Sequence, residues 1–306
     1  MAADSSDAER WPALPLASWA DTYSTLHMWT QIVGKVRLAL APPVNHWWHV
    51  TLAVTARGLT TRAMPYAGAS FEIAFDFIDH QLRIDTSEGR SRSLALGPQT
   101  VAEFYRRVFA LLGELGITVR IWPMPVEIPA PVRFDLDHDH RSYDAAWVTR
   151  WWRVVSQADE VLNEFRGEFI GKSSPAHFFW GSFDHAVTRF SGRRAPEREG
   201  ADPVTREAYS HEVISVGFWP GSPGVSDAAF YAYAAPEPPG FKTAPVGPRP
   251  AFYSHDLNEF ILKYEDMRAA PSPRDALLEF ARSTYDAGAS LAGWDRQVLE
   301  RRGIRD

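Results

Sequence analysis

Residues 175–194, PAHFFWGSFDHAVTRFSGRR, bring His177, Asp184, His185, Arg189 and Arg193 together among Phe179, Trp180 and Phe183. An imidazole beside a carboxylate is a tunable acid–base pair near neutral pH. A guanidinium fork is suited to gripping a carboxylate or a phosphate. A second run, REAYSHEVISVGFWPG at 206–221, adds Tyr209, His211 and Glu212. The candidate catalytic residues are therefore His177, Asp184, His185, His211 and Glu212. His177 or His211 would act as general base or metal ligand, with Asp184 or Glu212 as partner. Trp180, Arg189, Arg193, Tyr209 and His46 are the candidate substrate-binding residues, the arginines as an anion clamp. A divalent metal held by His177, His211 and a carboxylate is a further arrangement these residue types allow. The same side chains would equally make a surface network of ion pairs.

The elements that position them can be read from periodicity. Apolar residues at Trp19, Tyr23, Leu26, Val33, Val36 and Leu40 form one stripe of a long helix after Ser18, stopped by Pro42 and Pro43. Strands are expected over 46–58 and 71–85, the latter folded back at Asp79-His80. A helix over 100–115 closes at Gly116, and 117–122 reads as a short strand. A helix from near Ser142 carries Trp147, Trp151, Val154, Ala158, Val161 and Phe165 inward and ends at Pro175. Residues 175–194 then read as a strand, with Trp180, Ser182, Asp184 and Thr188 on one face and Phe179, Phe183, His185, Val187 and Arg189 on the other. Strands over 207–221 and 227–236 follow, then helices over 255–268 and 272–294.

The halves look alike. Gly34 with Gly167, and Pro42 with Pro175, repeat at a common spacing of 133 residues, and His46-Trp47-Trp48 corresponds to His177-Phe178-Phe179 after a two-residue deletion. The expected fold is α+β, as two similar halves, each a long helix, an antiparallel meander and closing helices, packed around a pseudo-twofold axis. A first repeat spans 11–122, a proline-rich linker 123–141, and a second repeat with the candidate site 142–306. The first ten residues are expected to fray.

Several familiar motifs fail. GKS at 171–173 lacks the glycine a phosphate-binding loop needs at position 166, which is Arg166. DLDHDH at 135–140 has His140 and Ala146 where a calcium loop needs glycine and glutamate. There is no G-x-S-x-G elbow and no G-x-G-x-x-G fingerprint. The chain of 306 residues carries a net charge of −6, which argues against a nucleic-acid partner. It has 12 Trp and no Cys, so thiolate chemistry and disulfides are excluded. No apolar run is long enough to span a bilayer and the start is not a signal peptide, so a cytoplasmic location is expected.

The stretches TQIVGKVRLALAPPVNHWWHV, IWPMPVEIP and FIGKSSPAHFFWGSFDHAVTRFSGRRAP, with others from Trp11 onward, resemble a family of bacterial proteins characterised only as a domain of unknown function. The resemblance implies no activity, cofactor or site residue. From the residues alone, the expectation is a small-molecule enzyme with an aromatic-walled pocket and His/carboxylate acid–base chemistry on a polar or anionic substrate. A non-catalytic small-ligand carrier and a protein-interaction module, including a homodimer using the Trp/Phe surface, are the rival readings.

Overall fold

The computed structural model describes residues 9–222 and 226–301. The stretch expected to fray falls outside them as far as residue 8. Helix α1 (Ala20–Leu40) runs to the two prolines as expected. From Thr22 to Val36 it is buried on almost every side, including His27, Gln31 and Lys35, which a one-sided apolar stripe would have left in water. Polar groups in such a helix need partners, and these help to build the site.

Strands β1 (Ala53–Val54), β2 (Gly58–Thr60), β3 (Met64–Tyr66), β4 (Ala69–Asp76), β5 (Gln81–Thr86) and β6 (Ser91–Ala95) form an antiparallel sheet in the order β1-β2-β4-β5-β6, with β3 also on β4. Helix α2 (Val101–Glu114) starts with a capping box between Thr100 and Glu103. The single strand expected over 46–58 is broken. His46 and Trp47 take left-handed φ values of 57° and 61°, which turn the chain at Asn45–Trp47 and delay the first ladder to Ala53. Residues 117–122 form no strand either.

Helix α3 (Ala145–Gly167) is capped by the Asp144 carboxylate, which accepts from the N–H groups of Ala146 and Trp147. It stops at Gly167, well before Pro175. The next segment is a hairpin rather than one strand: β7 (His177–Phe179), a turn at Trp180–Phe183, and β8 (Asp184–Arg194). Then come α4 (Pro203–Ala208), β9 (His211–Ser222), β10 (Ser226–Ala235), β11 (Phe252–Ser254) and β12 (Glu259–Lys263). Helices α5 (Tyr264–Arg268), α6 (Pro273–Leu291) and α7 (Arg296–Leu299) complete the described chain. The second sheet has the order β11-β12-β10-β9-β8-β7. The helix expected over 255–268 is mostly a hairpin, because Asn258 at φ 56° reverses the chain and Phe260 and Leu262 alternate inward as strand residues. Only Tyr264–Arg268 is helical.

The fold is α+β with two antiparallel sheets. Their edges meet where Leu52 and Phe178 exchange backbone hydrogen bonds of 2.8 and 2.9 Å. One apolar core runs through both sheets, from Trp29 and Phe104 to Trp151, Phe183 and Tyr285. Among the described residues no helix is long and apolar enough to cross a membrane.

Candidate functional site

One face of the second sheet is packed on α3 and α6; the other lies open under α1, the Asn45–Trp47 turn, residues 122–127 and α4. The open face is uneven for a simple reason. Ala186, Ser215 and Gly217 put small residues in the middle of β8 and β9, while Phe179, Tyr231, Tyr233 and Trp219 rise at the sides. The result is a cleft of about 760 Å³ walled by Trp47, Trp48, Trp122, Phe179, Trp180, Phe190, Tyr209 and Tyr233. An adjoining hollow of about 370 Å³ shares Phe179, Ser182, Thr188, Tyr209 and Tyr233 with it and continues over β10 to Glu259.

The floor holds an organised carboxylate. Asp184 is buried, and Ser182 Oγ donates to its Oδ1 while Tyr231 donates to its Oδ2. Burial pushes the Asp184 carboxyl up, against the pull of those two donors. Burial, and then the Asp184 charge, raise Glu259 to about 7 and also lift Glu127 above the usual carboxylate range. Burial and Asp184 hold the Tyr231 phenol neutral far beyond its ordinary value. Because both oxygens of Asp184 accept hydrogen bonds, the exchangeable proton of the acid group belongs on Glu259. Tyr209 and Tyr233 share a hydrogen bond of 2.9 Å beside them.

Helix α1 fixes the cleft's other wall through residues four apart. His27 Nε2 lies 2.8 Å from the Gly181 carbonyl and 3.1 Å from that of Trp180, fastening the turn between β7 and β8. Burial lowers His27 to about 4, so the ring stays neutral. Gln31 accepts from the Val126 N–H at 2.8 Å and donates to its carbonyl at 2.9 Å, which sets Glu127 at the rim. Lys35 reaches into the cleft between the Trp122 and Trp180 rings, 5.1 and 5.7 Å from their centroids. Trp180 is itself held by a 2.7 Å bond from Nε1 to the Val50 carbonyl.

Of the residues expected from sequence, the structure brings Trp180, Tyr209 and His46 to the cleft and Asp184 to the adjoining hollow. His46 Nδ1 lies 3.0 Å from the Glu207 carbonyl and so carries the proton, leaving Nε2 to accept from Lys172 Nζ at 2.6 Å. Burial and the Lys172 charge lower its pKa. His211 lies behind it, with ring centroids 5.6 Å apart, and lines neither hollow. Burial is the main cause that lowers its pKa too.

The remaining expectations are corrected. His177 is buried with Thr51 Oγ1 2.9 Å from Nδ1 and the Trp48 ring 6.5 Å away; burial lowers it to about 3, and it does not line the cleft. His185 points to the opposite face, where Nε2 lies 3.0 Å from Asp159 Oδ1. Arg189 shares that face, fully buried over the Phe165 and Tyr285 rings at 3.4 and 4.3 Å, and donates to the Phe165 carbonyl. It closes the C-terminal end of α3 and lines neither the cleft nor the adjoining hollow. Arg193 pairs with Glu212 at 2.6 Å and donates to the Ala292 carbonyl at the end of α6. Glu212 lines a smaller hollow of about 300 Å³ beside Ile214 and Trp294, away from Asp184. His177 and His211 therefore share no site, and among the described residues no group of three or more His, Asp or Glu side chains is disposed to hold a metal ion.

Sequence reasoning missed Lys35, Glu127, Tyr231, Tyr233 and Glu259. Lys35 had a signal, since His27, Gln31 and Lys35 recur every four residues in an otherwise apolar helix. Glu259 was hidden by reading its hairpin as helix. No curated protein and no solved structure matches the chain. Residues 11–301 match the family described as "Family of unknown function (DUF5996)", and the chain belongs to that family.

Proposed function

We propose that the protein is an enzyme acting on a small organic molecule held in the cleft over the second sheet, with carboxyl acid–base chemistry supplied by Asp184 and Glu259. The observation that carries this reading is the Asp184–Glu259 pair in the hollow that opens into the aromatic-walled cleft. Asp184 is oriented by Ser182 and Tyr231, and its charge helps to keep a proton on Glu259 up to about 7. A carboxyl group that exchanges its proton near neutrality can both give and take one at working pH. The aromatic walls exclude water and offer flat surfaces to an apolar or conjugated frame. The imidazoles expected to do this work, His177, His185 and His211, line neither hollow, and His46, expected to bind substrate, has its Nε2 engaged by Lys172.

The experiment is native mass spectrometry of the purified protein after incubation with a small-molecule extract, with chemical change of the retained compound followed over time. Wild type is expected to retain and convert a compound. Val204→Trp, which fills the cleft from α4, is expected to lose retention. Glu259→Gln is expected to keep retention and lose about 10²- to 10⁴-fold in turnover, the range for removing one general acid–base group. A compound retained but never changed would replace this reading with a non-catalytic carrier, and absence of any retained compound would favour an interaction module.

A further inference from the structure

The cleft contains a cation, Lys35, that has no counter-charge within ion-pair distance among the described residues. Lys35 is only 5% exposed, yet its ammonium has neither an ion pair nor a hydrogen bond among the described residues; its near neighbours are the Trp122 and Trp180 rings. The lysine lies on α1 next to Gly34, which packs directly under the Trp180 ring, so backbone, indole and ammonium are fixed relative to one another. Two indole faces soften the cost of burying a cation. They do not offer the ammonium an acceptor, and its three N–H donors stay available on the cleft side. The carboxylates in the same space are spoken for or distant: Asp184 accepts from Ser182 and Tyr231, and Asp202 caps α4 through Val204 and Thr205. The Glu127 carboxylate lies against Gly181 and forms no ion pair with Lys35 within 4.0 Å. Burial lowers the Lys35 pKa, as expected for a cation without a partner.

We propose that Lys35 is the seat of an anionic group, a carboxylate, sulfonate or phosphate, carried by an aromatic or otherwise flat molecule lying in the cleft. The proposal rests on the reading of that cleft as a small-molecule site and adds the class of its occupant. The anion would accept from Nζ between Trp122 and Trp180, and the flat part would lie along Phe179, Phe190 and Tyr233 toward Asp184 and Glu259. Anion and acid–base pair would then stand at opposite ends of one molecule. This gives the cleft a direction and selects against frames that lack a negative end, since a buried ammonium without a partner is costly to leave unmatched.

The test uses two fluorescent probes that share one aromatic frame, 8-anilinonaphthalene-1-sulfonate and neutral N-phenyl-1-naphthylamine, titrated into the full-length protein. Both are expected to bind wild type and to be excluded by Val204→Trp. Lys35→Met is expected to weaken the sulfonate by about tenfold or more, the range for one charge-assisted hydrogen bond, and to leave the neutral probe unchanged. Lys35→Arg is expected to restore most of the preference for the anion. A Lys35 that only props Trp180 would move both probes equally, so the ratio of the two affinities separates a seat from a prop. If Val204→Trp blocks both probes and Lys35→Met leaves the ratio as in wild type, the anion seat is overturned while the cleft stands. If neither probe depends on Val204, the small-molecule reading of the cleft falls, and the seat with it. Should Lys35→Met fail to fold by circular dichroism, Lys35→Gln, which keeps a polar end without the charge, carries the same comparison.

Discussion

A carboxyl group that titrates near 7 and an imidazole held neutral make stability depend on pH in opposite directions. Glu259 binds its proton up to about 7 in the folded chain, against an ordinary value of 4.5. Between those values the folded state holds a proton that the unfolded state has lost, so the stability contributed is full below about 4.5 and is lost as pH rises through about 7. Glu259→Gln is therefore expected to gain on wild type in melting temperature from pH 4.5 to about 7.5; an unchanging difference across that range would refute the raised carboxyl. His177 behaves in reverse. Its folded value of about 3 lies below the ordinary 6.5, so stability is present above 6.5 and is lost as pH falls toward 3. Replacement by phenylalanine should flatten the loss of stability between pH 6.5 and about 4.5, and a slope as steep as wild type would mean that His177 is not held neutral. Part of this was legible at the level of residue type. The alternation from Asp184 to Arg189 gives the correct faces, and Asp184 does reach the hollow adjoining the cleft. The role of Arg189 was not legible, because the rings that receive it, Phe165 and Tyr285, lie 24 and 96 positions away along the chain and meet it only when α3 and α6 pack on β8.

At the scale of elements, α1 shows why an apolar stripe is an incomplete description of a buried helix. The stripe through Tyr23, Leu26, Val33 and Val36 correctly locates a helix and its end at the prolines. What the stripe leaves out, His27, Gln31 and Lys35, turns out to hold a turn, to hold residues 126–127, and to enter the cleft. Polar side chains recurring every four residues were the available signal, but whether they meet water or a second half of the chain depends on contacts more than ninety residues away. Gly34 in the same helix has a similar dependence. Alanine there would gain about 1 kcal/mol from helix propensity, yet its Cβ would collide with the Trp180 ring, which is packed and bonded to Val50. Overpacking of that kind costs about 1–3 kcal/mol, so Gly34→Ala is expected to lower stability in urea denaturation and to weaken probe binding in the cleft. A variant as stable as wild type would show that Trp180 can move aside. The hairpin over 252–263 was not legible as such, since HDLNEFILKYEDMR carries a helical spacing of apolar residues as well as an alternating one, and the left-handed Asn258 decides between them.

For the molecule as a whole, the first sheet comes with α1 and the second with α3 and α6, yet the cleft belongs to neither sheet alone. Its floor comes from β8, β9 and β10, and its wall from α1 and the Asn45–Trp47 turn. The apolar core is likewise continuous, with Tyr23 of α1 edge-on to Phe183 at 5.0 Å and Phe77 beside Trp151 at 5.5 Å. Unfolding is therefore expected to be a single transition, with tryptophan fluorescence and far-ultraviolet circular dichroism superimposing in urea. Residues 142–301 made alone are expected to lack it and to bind neither probe, whereas a cooperative melt of that fragment would show that the second half stands by itself. The α+β class follows from local pattern in the sequence, but the union of the halves does not, because it is built from pairs such as His27 with Gly181 that no local period encodes.

The pair formed by Leu52 and Phe178 has a protective consequence. A strand at the margin of a sheet presents unpaired N–H and C=O groups that can template association with another chain. Because β1 and β7 are turned toward each other at this pair, each masks the other's bare margin, and the outer margins fall to β6, which carries Arg92, and to β3 and β11, which are three residues long, β3 with Pro65 at its centre. A charged strand and a very short one are poor templates. Loosening the contact between the halves would uncover two sticky margins at once, so the first sign of damage at this seam would be self-association of the chain, ahead of any loss of secondary structure.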